Sequence, residues 1–118
     1  MSDDYNRPPG KTTVSPEVLT TIARMAALGV PGVKGMAPVS GGVNRLFRHG
    51  ADEGVRIILR ENTVTADIYL IVKEDVNIRE VGRNVQQQVA RAIQEMVGME
   101  VGEVNIHIED IDFEGDEA

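Results

Sequence analysis

The chain is 118 residues long, with a formal net charge of -7, 42% hydrophobic residues, 3% aromatic residues and no cysteine. That length suits one domain, and the apolar content is too high for a wholly disordered chain. The missing cysteines exclude a disulfide framework, a thiolate metal site and a cysteine nucleophile. The longest apolar run, Ile68 to Val72, is far short of the roughly 20 residues a membrane-spanning helix needs. The first residues lack the basic-then-apolar pattern of a secretory leader, so a cytoplasmic location is the expectation.

The acidity is local. Residues 109–118 hold six acids and no base, leaving thirteen acids against twelve bases in residues 1–108. Residues 1–11, with Pro8-Pro9-Gly10, read as a disordered N-terminal segment, residues 12–113 as a single domain and residues 114–118 as an acidic tail.

Thr12-Thr13-Val14 reads as a short edge strand. Ser15 then caps a helix whose first position suits Pro16, with Glu17 at the positive end of the dipole. Val18, Ile22, Met25 and Ala26 recur at helical spacing, with Leu19, Ala23 and Leu28 broadening the stripe, until Gly29 and Pro31 stop the helix. A Gly-rich connection follows from Gly32 to Gly54, holding a short strand over 33–39 and a helical turn over 43–47. Then the period drops to two. Val55, Ile57 and Leu59 alternate with Arg56, Ile58 and Arg60, and after the Glu61-Asn62 turn Val64, Ala66, Ile68, Leu70 and Val72 continue the alternation. Asn77-Ile78-Arg79-Glu80 is a capping-box pattern opening a second helix, whose stripe runs through Val81, Val85, Val89 and Ile93 to Met96 and whose stop is Gly98. A last strand carries Val104, Ile106 and Ile108, and its apolar phase shifts at Ile111, which predicts a bulge or the end of pairing near Asp110.

These elements predict an α+β domain: a small, mainly antiparallel sheet of three to four strands with two helices packed on one face. Placing the last strand beside the first hairpin strand would make every pairing antiparallel. The expected core sets Val18, Ile22, Met25, Val85, Val89, Ile93 and Met96 against Val55, Ile57, Leu59, Ile68, Leu70 and Ile106.

No catalytic, cofactor or metal constellation emerges. His49 and His107 are the two histidines, neither has a partner at ligand spacing, and both read as ordinary surface residues. Asp110-x-Asp112-x-Glu114-Gly115 imitates the opening of a calcium loop without its closing glutamate. Gly29-x-x-Gly32 and Gly32-x-x-Gly35 match the spacing of a KH nucleic-acid loop, which gives an alternative reading as a single-stranded nucleic-acid-binding module. Net acidity weighs against that partner. The candidate interaction surface comprises Arg45, Arg48, Arg56 and Arg60 with the spare apolar residues Ile58, Tyr69 and Ile71, which lie on the sheet face opposite the expected core.

The series Val14-Ser15-Pro16-Glu17-Val18, Val30-Pro31-Gly32-Val33, Ser40-Gly41-Gly42, the strand 64–72, the helix 81–97 and Val104-Asn105-Ile106-His107-Ile108 resembles the alkaline-shock-protein family of bacterial envelope-stress-response proteins, over residues 12–112. The resemblance implies a non-enzymatic cytoplasmic protein of envelope homeostasis. It also implies a homo-oligomer, held at the inner face of the membrane by a separate membrane-anchored partner, with no cofactor and no catalytic residues. The basic connection with Arg45, Phe47, Arg48 and His49 departs from what that resemblance leads one to expect.

Overall fold

A computed structural model describes residues 8–38 and 54–113. In chain order they form α1 (Pro16–Leu28), β1 (Val33–Met36), β2 (Val55–Arg60), β3 (Thr63–Lys73), α2 (Ile78–Val97) and β4 (Glu100–Asp112). The architecture is α+β, with both helices packed on one face of a four-stranded sheet.

Both helix starts follow from their caps. Ser15 accepts a hydrogen bond from the Val18 amide ahead of Pro16, and Asn77 Oδ1 accepts one from the Glu80 amide at 3.0 Å. Gly98, in the left-handed conformation, closes α2. The Glu61-Asn62 turn takes positive φ at both residues (47° and 71°), the geometry that matches strand twist in a two-residue hairpin.

The sheet is built around β3. β2 pairs antiparallel with its first half and β1 antiparallel with its second half, so these two strands share one side end to end. β4 takes the other side along the whole length of β3, from Thr63↔Glu100 to Lys73↔Asp112, and it runs parallel. The expected all-antiparallel arrangement with the last strand beside β2 is therefore corrected. The 20 residues of α2 rise about 30 Å. That nearly cancels the roughly 36 Å advance of the 11-residue β3, so the chain returns to where β3 began. A strand starting there runs parallel, as in any strand–helix–strand crossover.

The core lies between helices and sheet. Val64, Ala66, Ile68, Leu70 and Val72 of β3 and Val55 of β2 meet Leu19, Ile22, Ala23 and Ala27 of α1 and Val81, Val85, Val89 and Ile93 of α2. Each large side chain fully buried there stabilises by about 1.5–3 kcal/mol. Four expected core members are exposed instead: Val18, Met25 (64%), Leu59 and Met96 (70%). α1 packs through the ridge Leu19–Ala23–Ala27, whose small residues allow close approach, and this turns Val18 and Met25 outward. Thr20, beside that ridge, is buried with its hydroxyl satisfied by donating to the Pro16 carbonyl at 3.0 Å. At the end of α2, Val97 packs on the core in place of Met96, and Leu59 lies at the hairpin tip.

Other expectations shift in detail. The strand expected over 33–39 ends at Met36. Thr12-Thr13-Val14 is not a strand, although Val14 packs against the core. The phase shift near Asp110 is a bulge between Ile108 and Asp110 after which pairing continues, and a second bulge falls at Gly102. Asp110 and Asp112 are strand residues, with Asp112 paired to Lys34 at 3.1 Å, and Glu114 and Gly115 of the calcium-loop imitation lie outside the described residues. Gly29, Gly32 and Gly35 lead from a helix into a strand, whereas the KH loop joins two helices. The helical turn expected over 43–47, and Arg45, Arg48 and His49, lie outside the described residues.

Candidate functional site: the sheet face opposite the helices

Alternation along β2, β3 and β4 sends Arg56, Ile58, Arg60, Asp67, Tyr69, Asn105 and His107 to the face the helices do not take. The centre of that face is a polar clasp on Asp67. Hairpin register sets Arg56 opposite Asp67, and the parallel register sets Asn105 opposite Asp67 and His107 opposite Tyr69. Asn105 Nδ2 donates to Asp67 Oδ1 at 3.2 Å, and His107 Nε2 stands 3.2 Å from the same oxygen. A carboxylate accepts, so this contact is a hydrogen bond in the tautomer that carries its proton on Nε2. Arg56 Nε lies 3.6 Å from Asp67 Oδ2, completing an ion pair with a carboxylate whose side chain is 12% exposed.

Tyr69 and His107 stack, with ring centroids 4.4 Å apart and planes at 13°. Tyr69 is 6% exposed. The expectation that it stands in water on a docking face is thus corrected. His107 is likewise no isolated surface residue: it links β4 to Asp67 and Tyr69 of β3. Tyr69 also anchors backbone. Its amide donates to the Gly54 carbonyl at 2.8 Å and its carbonyl accepts from the Ala37 amide at 2.9 Å, so the chain leaves and re-enters the sheet at this one residue.

Of the residues singled out from sequence, Arg56, Ile58 and Arg60 form an exposed row on β2, with Ile58 41% exposed. Ile71 is half-buried beside Gly35. Asp67 and Asn105 were not among the site candidates read from the sequence. The signal for Arg56–Asp67 was present in the two-residue turn, which fixes that pairing by counting, but Asn105 and His107 reach Asp67 only through the parallel register.

Chemically the clasp is closed, since Asp67 has three partners and little exposure. Among the described residues no group of three His, Cys, Asp or Glu is placed to hold a metal ion. A cleft of about 600 Å³ opens at the hairpin end between Thr13, Val14, Leu59 and Met99, and a groove of about 300 Å³ runs between α2 and β4. No described helix is long and apolar enough to cross a membrane.

Comparison with known proteins agrees with this architecture. A model of the alkaline-shock-protein 23 family, described as having a cell envelope-related function, matches residues 4–113. The uncharacterized protein YqhY of Bacillus subtilis is 34% identical over 107 residues, covering 89% of this chain and 79% of YqhY. YloU of the same organism is 29% identical over 115 residues, covering 94% and 96%. Among solved structures, the copper form of the MamM CTD superposes with a TM-score of 0.60 at 18% identity, covering 84% of this chain and 89% of that one. A zinc form of that domain gives 0.51 at 15% identity, covering 82% and 87%. At these identities the likeness is one of fold.

Proposed function

The chain belongs to the alkaline-shock-protein 23 family, whose function is cell envelope-related, and from that premise we propose that it is a non-catalytic protein of envelope stress response and homeostasis. It works by self-association and by docking on a membrane-anchored partner, from the cytoplasm and at the inner face of the membrane.

The observation that carries this reading is the exposed row Arg56–Ile58–Arg60 on the sheet face the helices leave uncovered. An apolar side chain held between two guanidinium groups on a rigid strand is suited to meet an apolar surface with an acidic rim. The closed Asp67 clasp holds that strand flat against β3 and offers no nucleophile or free base of its own. Arg45 and Arg48 extend the same basic character in the sequence and are proposed to steer acidic groups towards the row.

Ile58→Lys tests it, because Ile58 packs on no core residue and its replacement should leave the fold intact. Tagged protein is used to recover partners from the membrane fraction of the source bacterium, and its sedimentation is measured in parallel. The variant is expected to recover fewer partners and to sediment as a smaller species. Recovery and sedimentation equal to the parent's would remove this row from the interface.

A further inference from the structure

β4 has a second side. β3 occupies one side of it from Glu100 to Asp112, and among the described residues no strand pairs with the other. Bulges at Gly102 and between Ile108 and Asp110 bracket a regular stretch, Glu103 to Ile108. The backbone directions in this stretch follow from Tyr69. Its N–H and C=O bond Gly54 and Ala37 on the β1/β2 side, so the even-numbered residues of β3 address β4. With Ile68 opposite Ile106 in a parallel ladder, Asn105 and His107 bond back to β3, and Val104, Ile106 and Ile108 turn their N–H and C=O groups outward. Gln86 confirms the direction, its Nε2 donating to the Val104 carbonyl at 3.0 Å. The outward groups of Ile106 and Ile108 remain as a template for a further strand.

The flanks of this edge differ in character. On the helix side Gly82 has no side chain to fill the space above Ile106, and the groove there is floored by Ile78, Ile106 and Ile108 with Arg79 and Arg83 at its rim. On the opposite side β4 presents Glu103, Asn105 and His107, with Glu100 and Asp110 beyond the two bulges, and the whole strand contains no lysine or arginine. A second copy is the competing occupant. The antiparallel register that sets Ile106 on Ile106 sets Glu103 against Glu109, and like charges directly opposite destabilise a pair, whereas the register that sets Asn105 on Asn105 sets Glu103 against His107.

We infer that the 103–108 edge of β4 accepts, by β-strand addition, an extended segment of a partner protein in which Lys or Arg alternates with Val or Ile. The apolar side chains enter the groove and the basic ones lie on the other face, where Glu103 and Asp110 stand at the two ends of the stretch. Arg79 and Arg83 repel basic groups from the groove side, which fixes the face the strand presents. This rests on the proposal that the protein acts by docking, and it names one surface and one partner chemistry for it.

The probe is a labelled Lys-Val-Lys-Ile-Lys-Val-Lys peptide, compared by fluorescence anisotropy with its Glu-for-Lys counterpart. The basic peptide is expected to bind about tenfold tighter than the acidic one, with a preference that falls as salt rises. Ile106→Pro removes an outward N–H without touching the ladder to β3 and should abolish binding at an unchanged circular dichroism spectrum. Glu103→Lys with Asp110→Lys leaves the backbone intact and should invert the preference, which keeps the inference testable if the proline variant does not fold. Equal binding of both peptides, or a preference unmoved by the double reversal, overturns it. A parent that sediments as a dimer, binds neither peptide and becomes monomeric on Ile106→Pro also overturns it, in favour of a second copy. If the peptide fails while Ile58→Lys still loses its membrane partners, the edge is excluded and the docking proposal stands.

Discussion

Gly54 is where the long connection re-enters the sheet, and replacing it by alanine separates two physical costs. Its φ of 86° lies in the left-handed half of conformational space, which costs a residue with a Cβ about 1–2 kcal/mol. A Cβ there would also stand 2.6 Å from Met36 Cβ, 2.9 Å from the Ala37 carbonyl oxygen and 3.1 Å from the Tyr69 carbonyl oxygen. Two of those atoms are backbone and cannot rotate away, so overpacking adds about 1–3 kcal/mol. Relief by movement would break the Tyr69–Gly54 hydrogen bond at 2.8 Å. Gly98 supplies the control: its φ is 79° and nothing lies within 4 Å of an added Cβ, so Gly98→Ala carries the conformational cost alone. Gly54→Ala should therefore lose about 2–5 kcal/mol and Gly98→Ala about 1–2 kcal/mol. For a domain of this size each kcal/mol moves the melting temperature by about 4–8 °C. Thermal unfolding followed by far-ultraviolet circular dichroism is expected to place Gly54→Ala at least about 4 °C below Gly98→Ala. Coincident melting of the two would refute the crowding argument.

Val89→Asp puts an unpaired charge at a fully buried site between α2 and the sheet and should cost more than about 3 kcal/mol, read from the urea midpoint; an unshifted midpoint contradicts the core assignment. Asp67→Ala strips the acceptor from Asn105 and His107 and the partner from Arg56, for an expected loss of about 1–3 kcal/mol. His107→Ala should cost about 1–2 kcal/mol through the lost Tyr69 stack and hydrogen bond. Because they share a contact, the double variant should lose less than the sum of the two, and strict additivity would show that the clasp does not act as a unit.

Local features were legible because their causes are local. Ser15-Pro16, Asn77-x-x-Glu80 and Gly98 mark helix ends through hydrogen bonds that span a few residues, and the two-residue turn at Glu61-Asn62 fixes the β2–β3 register. The place of β4 was harder to see because it depends on where a helix delivers the chain. The strand–helix–strand order with short links did signal a parallel return. The stripe on α1 misled in its centre: it was set on Val18, Ile22, Met25 and Ala26, whereas the buried line runs through Leu19, Ala23 and Ala27 at its edge, where small residues admit close packing. The candidate site was half legible for the same reason. Arg56, Ile58 and Arg60 needed only alternation, whereas the stack of His107 on Tyr69 depends on the parallel register that sets the two side by side.

The central claim is that the uncovered sheet face is where the protein docks at the envelope. Hydrogen exchange measured by mass spectrometry, on the full chain with and without washed membranes from the source bacterium, addresses it directly. The account predicts slowed exchange over Val55–Arg60 with membranes present and unchanged exchange over Pro16–Leu28. Unchanged exchange over Val55–Arg60, or slowing confined to α1 with its exposed Val18, Met25 and Leu28, would contradict it.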